Sequence, residues 1–392
     1  MSAMDRDLAG FTLLQVTPAL DTGGVERTTL DIADAVVKAG GRALVASRGG
    51  RMETELASVG GQLVRLPMDS KNPLIQAQNA SRLLTLIRTE KVDLVHVRSR
   101  APAFAGLWAA QQAKLPTVAT YHGLYNAKTS LKRWYNGVMT RTDRVIANSE
   151  FTRAHILATH KIAPEKVISI PRGVDLRRFD PAKVTKDRVD SLRRLFRGEG
   201  DFDVPLFLLA GRLTRWKGQA FLIDAIAAAV LSGAPPISVA FAGDDQGRHA
   251  YREELEGKIA LNGLADRVRI VGHCDDMPAA YLAADFAVVP SLEPEAFGRT
   301  AVEPQAMGIP VLAANHGGTA ETVVAGETGW LASPGSVTDW AISLSRAAQC
   351  PLTLRQKMGE AGRARVAALY SREAMCSQTL KIYRDLWSQR HG

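Results

Sequence analysis

At 392 residues the chain is longer than one ordinary hydrophobic core organises, so two domains are expected. A composition of 46% hydrophobic and 23% charged residues, without a low-complexity tract, excludes a disordered or fibrous protein. The net charge of +9 calls for anionic partners, which leaves nucleic acid, phosphorylated ligands and an anionic membrane surface as the classes to separate.

The first eight residues lack the apolar stretch of an export signal, and no later apolar run is long enough to span a bilayer, so a cytoplasmic protein is expected. Cys274, Cys350 and Cys376 are odd in number and without C-x-x-C spacing, which argues against a disulfide framework or a thiolate zinc site and fits a reducing compartment. Short runs rich in Val, Ile and Leu follow at 13–16, 43–46, 63–66, 94–97, 118–120, 145–147 and 167–170, separated by amphipathic stretches. Strands alternating with helices indicate a parallel sheet, and their lack of polar alternation indicates helices on both faces. Between 171 and 203 the pattern lapses into charged residues and prolines, with a short helix at about 188–196, and this segment is the linker candidate. A second series runs through 206–210, 239–242, 268–271, 286–289 and 311–313. The chain then closes on a helix at about 373–387, whose Met375, Leu380, Tyr383 and Leu386 form an apolar stripe. The expected architecture is therefore α/β, with two Rossmann-like doubly wound domains at 1–185 and 186–372, and residues 373–392 crossing back to the first. Their ligand-binding loops, at the carboxyl ends of the strands, would face a shared cleft.

Three segments at strand ends carry chemistry. Asp21-Thr22-Gly23-Gly24-Val25-Glu26-Arg27 opens a helix after the first strand, where glycines admit a phosphate to unpaired helix amides. It is not the G-x-G-x-x-G fingerprint, so a dinucleotide cofactor is not indicated. Gly211-Arg212-Leu213-Thr214-Arg215-Trp216-Lys217-Gly218 sets an Arg and a Lys on one turn able to converge on a diphosphate. Pro290-Ser291-Leu292-Glu293-Pro294-Glu295-Ala296-Phe297-Gly298-Arg299-Thr300-Ala301-Val302-Glu303 places Glu295 on a loop and Glu303 in the helix after it, two carboxylates suited to ribose or sugar hydroxyls.

The last segment, followed by Gly308-Ile309-Pro310-Val311 and Gly317-Gly318-Thr319-Ala320-Glu321, resembles the donor-site signature of the retaining glycosyltransferases of family 4. Gly23-Gly24-Val25-Glu26-Arg27, Tyr121-His122-Gly123, Asn148-Ser149, Pro171-Arg172-Gly173-Val174-Asp175 and Gly211-Arg212-(x4)-Lys217-Gly218 match that family's other landmarks in order, over nearly the whole chain. The resemblance implies the GT-B fold and a retaining, metal-independent hexosyl transfer from a nucleoside-diphosphate sugar, with no cofactor. By the same resemblance Arg212 and Lys217 would neutralise the diphosphate, Glu303 would hold the ribose, and Glu295 with the amides near Phe297 and Gly298 would bind the transferred sugar. Gly23 and Gly24 would let the first domain's loop approach the phosphates, and His122 would reach the sugar. His273, Cys274 and Met277 would border the nucleobase. Arg212, Lys217, Glu295 and His122 are thus the catalytic candidates. Gly243-Asp244-Asp245-Gln246-Gly247-Arg248 departs from the family's Gly-Asp-Gly-Pro pattern, so nucleobase contacts are not carried over there.

For the acceptor, the stretch from Tyr125 to Arg144 reads as a helix over 130–140. Leu131, Trp134, Tyr135 and Val138 share a stripe flanked by Lys128, Lys132, Arg133, Arg141 and Arg144. Such a helix suits an anionic lipid surface. The expected acceptor is a lipid-linked or lipopolysaccharide-type glycan, met by a peripheral protein on the inner face of the cytoplasmic membrane. The alternatives are a soluble small-molecule acceptor, or a sugar-nucleotide epimerase of the same architecture. Nucleic acid is disfavoured, because Glu295 and Glu303 stand beside the basic loop.

Overall fold

Every one of the twelve apolar runs forms a strand in the computed structural model, which describes residues 7–21, 23–125, 129–198 and 204–391. The first unit comprises Met1–Gly173 and Arg372–Gly392. Its strands are β1 (Thr12–Val16), β2 (Arg42–Ser47), β3 (Gln62–Arg65), β4 (Leu94–Val97), β5 (Thr117–Tyr121), β6 (Arg144–Ala147) and β7 (Val167–Ser169), in the sheet order β3-β2-β1-β4-β5-β6-β7. All pairings are parallel. β1, β4 and β5 are buried along their whole length, because helices cover both faces of the sheet centre.

The second unit, Val174–Ser371, has the strands β8 (Leu206–Ala210), β9 (Ser238–Ala242), β10 (Val268–Gly272), β11 (Phe286–Val289), β12 (Val311–Ala314) and β13 (Gly329–Ala332), ordered β10-β9-β8-β11-β12-β13 and again parallel. β13 is the strand that the periodicity missed. It begins with a glycine, a residue that weakens a strand reading, yet a Cβ at Gly329 would run into the Val311 backbone of its neighbour.

Three expectations are corrected. The division falls after Gly173 rather than at 185, because residues from Val174 onward pack within the second unit. Val174 pairs with Ser371 and donates its N–H to the Tyr370 carbonyl at 2.8 Å, and the Phe179 ring lies tilted against Tyr281, centroids 6.3 Å apart. The segment taken for a linker therefore belongs to a core, and its short helix is a twelve-residue one, Lys186–Arg197, with Phe196 fully buried. The helix read over 130–140 runs only from Ser130 to Asn136 and tightens into a 3₁₀ turn at Gly137–Arg141. That change of pitch breaks the stripe: Val138 is buried, whereas Leu131 and Trp134 are 74% and 54% exposed.

The terminal helix Arg372–His391 packs within the first unit, where Met375, Leu380, Tyr383 and Leu386 join Phe11, Leu13 and Leu30 in one apolar cluster. Burying each such side chain contributes roughly 1.5–3 kcal/mol, so the helix is held by the stripe that marked it in the sequence. Among the described residues no helix is long and apolar enough to cross a membrane.

Candidate functional site

In an open parallel sheet, crossovers that leave two adjacent strands in opposite directions open a crevice at the strands' carboxyl ends, and ligands bind there. In the second unit that point lies between β8 and β11. The loop leaving β8 is Gly211 to Gly218, and the loop leaving β11 runs from Pro290 to Gly298. Topology thus places side by side the two segments that carry Arg212, Lys217, Glu295 and Glu303.

The β8 loop closes in a 3₁₀ turn, Arg215–Lys217, ending at Gly218 in the left-handed conformation (φ 81°). A Cβ at Gly218 would collide with the Pro290 carbonyl, so glycine lets the two loops touch. The touch brings Lys217 Nζ to Glu295 Oε1 at 2.7 Å, and Ser291 Oγ donates to the same oxygen at 2.7 Å. Lys217 and Glu295 are 12% and 10% exposed, which makes this a nearly buried ion pair. The β11 loop is clamped from behind by the glycines of the later motif: Gly318 N–H donates to the Glu295 carbonyl at 2.7 Å, and His316 Nε2 lies 2.8 Å from the Ser291 carbonyl. Gly298 then opens the helix Arg299–Ala306.

Glu303, 6% exposed, sits one turn into that helix. Arg299 reaches its Oε1 through Nε at 2.9 Å and through Nη2, and the Tyr281 hydroxyl donates to Oε2 at 3.2 Å. Burial, reinforced by the Glu303 carboxylate, holds the Tyr281 phenol well above its ordinary pKa, so it remains a donor. Arg212 is exposed, with Nη1 3.4 Å from Gln246 Oε1, while its carbonyl accepts from the buried Gln219 at 3.0 Å. The backbone of this loop is therefore tied down, while the guanidinium is open to solvent. Beside it, the divergent 243–248 stretch folds as two successive Asx turns, with Asp244 Oδ1 accepting from Gln246 N and Asp245 Oδ1 from Gly247 N.

His273, Cys274 and Met277 follow β10 at the same edge. His273 Nε2 meets Asp275 at 2.8 Å, and Met277 begins the helix Met277–Ala283, capped by Asp276, which Arg188 grips through Nε and Nη2. Burial pushes the Cys274 thiol up.

In the first unit the corresponding point lies between β1 and β4. Gly23 caps, and Gly24 opens, the helix Gly24–Lys38 after β1. Arg98 follows β4 and is 1% exposed. Its Nε donates to Gln15 Oε1 at 2.9 Å and its Nη2 to the same atom, so a buried guanidinium rests on a neutral acceptor. His122 follows β5. The residue keeps some exposure, but Nε2 is fully buried and without a hydrogen-bond partner among the described residues. Burial, with Arg172 and Arg98 nearby, holds His122 well below the usual imidazole range, so it is neutral at pH 7. Together with Arg98, Arg172 and Asn148 it lines a cavity of about 20 Å³, room for one hydroxyl or water. Arg172 donates through Nη2 to the Gly24 carbonyl and, at 3.2 Å, lies against Thr28 Oγ1.

The side chains that sequence reasoning passed over are Ser291, Tyr281, Arg299, Arg98 and Arg172. Arg299 was recoverable, since it stands four residues before Glu303 on one helix. Tyr281 and Arg98 reach their partners only through tertiary packing. Lys128 lies outside the described residues, whereas Lys132, Arg133 and Trp134 are all exposed on the helix Ser130–Asn136.

Residues 22–178 match the family described as Glycosyltransferase Family 4, and residues 196–365 match Glycosyl transferases group 1. The chain is 33% identical over 317 residues to a D-inositol 3-phosphate glycosyltransferase of Thermobifida fusca, an alignment spanning 76% of this chain and 70% of that one. Among solved structures it is similar to a glycosyltransferase from Rickettsia africae, with TM-score 0.88 and 32% identity over 96% of this chain and 98% of that one. It shares its fold with Anabaena Alr3699/HepE, crystallised with UDP and glucose (TM-score 0.80, 24% identity, 96% and 100% covered).

Proposed function

The chain belongs to glycosyltransferase family 4 and has the GT-B fold of two parallel-sheet domains, and from that premise we propose that it moves a hexose, with retention and without a metal, from a nucleoside-diphosphate sugar to a membrane-borne glycan. The observation that carries the donor assignment is the nearly buried Lys217–Glu295 pair at the β8/β11 crevice, on the loop that leads into the helix of Glu303. Burying an ion pair costs desolvation free energy that an apolar pair would not incur, so it suits a site that exchanges partners. In this reading the donor diphosphate takes the Lys217 ammonium and Arg212 closes over it, which frees Glu295 for hydroxyls of the transferred sugar. Glu303, already oriented by Arg299 and Tyr281, accepts from the ribose diol. Preorganised cations at the leaving diphosphate supply the transition-state stabilisation, and a phosphate oxygen takes the proton of the incoming hydroxyl on the same face. His122, neutral and buried at Nε2, positions a sugar hydroxyl rather than acting as a base. Gly23 and Gly24 bring helix amides to the phosphates, and His273, Cys274 and Met277 border the base.

For the acceptor, the supporting feature is a surface of the first unit. Trp108, Leu131 and Trp134 are exposed at 44%, 74% and 54%. Trp134 packs 5.5 Å from Phe104, and the Arg141 guanidinium lies 5.4 Å over its ring. Alongside runs a groove of about 660 Å³ whose lining includes Phe104, Trp108, Lys114 and Arg141. Aromatic and aliphatic side chains among cations fit the interface of an anionic bilayer, and an acceptor presented there is a lipid-linked or lipopolysaccharide-type glycan. A soluble acceptor is the second reading, favoured by the Thermobifida relative, whose name specifies an inositol phosphate.

A thermal-shift and hydrolysis screen against sugar nucleotides, with a chelator in parallel, tests the donor half, since a ligand of the folded state raises its apparent stability. Turnover of a sugar nucleotide to an epimer with no acceptor present would replace the transferase reading, and loss of activity with chelator would remove the metal-independent one.

A further inference from the structure

Gly24 stands where a phosphate is to approach, and the obvious reason for a glycine is to clear that approach. The structure gives the space another occupant. A Cβ built on Gly24 would run into Nη1, Nη2 and Cζ of Arg172, and nothing else comes as near. Arg172 arrives from β7, two residues past Ile170, and Nη2 donates to the Gly24 carbonyl while also meeting Thr28 Oγ1. Thr28 Oγ1 in turn lies 2.8 Å from the same carbonyl, so the first turn of the helix Gly24–Lys38 is tied to the far side of its sheet through one guanidinium. Arg172 also borders the cavity of His122. One cation thus touches the Gly23–Gly24 turn and borders the His122 cavity, the two first-unit elements assigned to the donor.

We propose that Arg172 is the positioning residue of the donor loop: its guanidinium sets the Gly23–Gly24 turn at phosphate-binding height, and Gly24 is a glycine in order to admit Arg172. The proposal rests on the donor reading given above. A charged hydrogen bond to a carbonyl fixes that turn more firmly than a neutral one would. A lysine could reach the carbonyl but cannot span it and the Thr28 hydroxyl with one planar group.

The test compares Arg172→Ala, Arg172→Lys, Gly24→Ala and the Gly24→Ala/Arg172→Ala double variant for donor KM, inhibition by free nucleoside diphosphate, acceptor KM and melting temperature. Lys217→Ala serves as the control for the donor reading. Arg172→Ala is expected to raise donor KM and the diphosphate inhibition constant together by roughly ten-fold or more, leaving acceptor KM in place, and Arg172→Lys recovers part of that loss. Gly24→Ala gives a similar defect because its methyl displaces the guanidinium, and the double variant is no worse than Arg172→Ala alone. Unchanged donor KM in Arg172→Ala overturns the proposal, as does a Gly24→Ala defect that adds fully to that of Arg172→Ala, since the glycine would then serve the phosphate itself. Loss of melting temperature with unchanged KM marks a purely structural arginine and likewise overturns it. If Lys217→Ala keeps full activity, it is the donor reading that falls.

Discussion

The crevices at the carboxyl edges of the two sheets occupy the same topological position but are built on different buried polar contacts. At the second unit's crevice the buried charges stand in ion pairs, Lys217 with Glu295 and Arg299 with Glu303, while the exposed Arg212 lies against the neutral Gln246. At the first unit's, alongside the Arg48–Asp21 ion pair, Arg98 rests on Gln15, Arg172 donates to a carbonyl, and His122 is kept neutral by burial and by those two arginines. A matched pair can trade one partner for a ligand ion, whereas a cation on a neutral acceptor shapes the site and biases it toward anions without needing to exchange anything.

The comparison breaks most decisively at Lys217. Lys217→Ala removes the exchangeable cation and leaves Glu295 buried without its partner. Transfer kcat/KM should fall by about 10²–10³, the loss typical of one preorganised electrostatic donor, with the fold retained. Near-normal kcat/KM would show that the pair is only structural.

A finer division lies within the second unit. Glu303→Ala should weaken sugar nucleotide and free nucleoside diphosphate alike, by roughly ten-fold, because the lost contact is to the ribose. Glu295→Ala should leave the free diphosphate bound as in the wild type, or more tightly, and impair only the sugar-bearing ligand. Calorimetric titration with both ligands separates them, and equal losses of diphosphate affinity would dissolve the assigned roles.

The first unit's two buried histidines have a pH signature. His96, fully buried between the Tyr383 hydroxyl and Thr120, is held well below 6.5 by burial and then by Arg98, and His122 is depressed likewise. In the unfolded chain both take up protons near pH 6.5, which the folded form resists, so the unfolded state binds more protons and stability rises with pH through this window. The stability is present above about pH 6.5 and is lost as pH falls below it, at up to about 1.4 kcal/mol per histidine per pH unit. Melting curves at pH 7.5, 6.5 and 5.5 should show this slope, and a His96→Gln/His122→Gln variant should flatten it. An unaltered slope would mean that these two histidines are not held neutral by the fold.

The smallest effect belongs to the exposed surface. Lys132→Glu/Arg133→Glu should lower binding to anionic liposomes at low salt by roughly ten-fold or more and leave neutral liposomes unaffected, as expected of cations that act through the bilayer's surface potential. If the wild type does not sediment with anionic liposomes at any salt concentration, the membrane acceptor gives way to the soluble one.

The sequence by itself determined the two parallel sheets, since runs such as 206–210 and 286–289 are apolar on both faces and only a helix-covered strand tolerates that. It singled out the loops that the proposed function rests on, because Glu295, Glu303, Arg212 and Lys217 stand in motifs whose spacing is local. Tertiary structure decided where the units divide, because the burial of Val174 and Phe179 depends on residues some hundred or more positions away, and no periodicity encodes that. It decided that Gly329 begins a strand, that the helix after Ser130 changes pitch at Gly137, and that Leu131 and Trp134 stay exposed. It also decided the partners of each charge: Lys217 with Glu295, Tyr281 with Glu303, Arg98 with Gln15, Arg172 with the Gly24 carbonyl. Backbone periodicity follows from which side chains must leave water, a property each segment carries alone, whereas a hydrogen bond or ion pair exists only once two distant segments are brought within 3 Å of each other by the packing of everything between them.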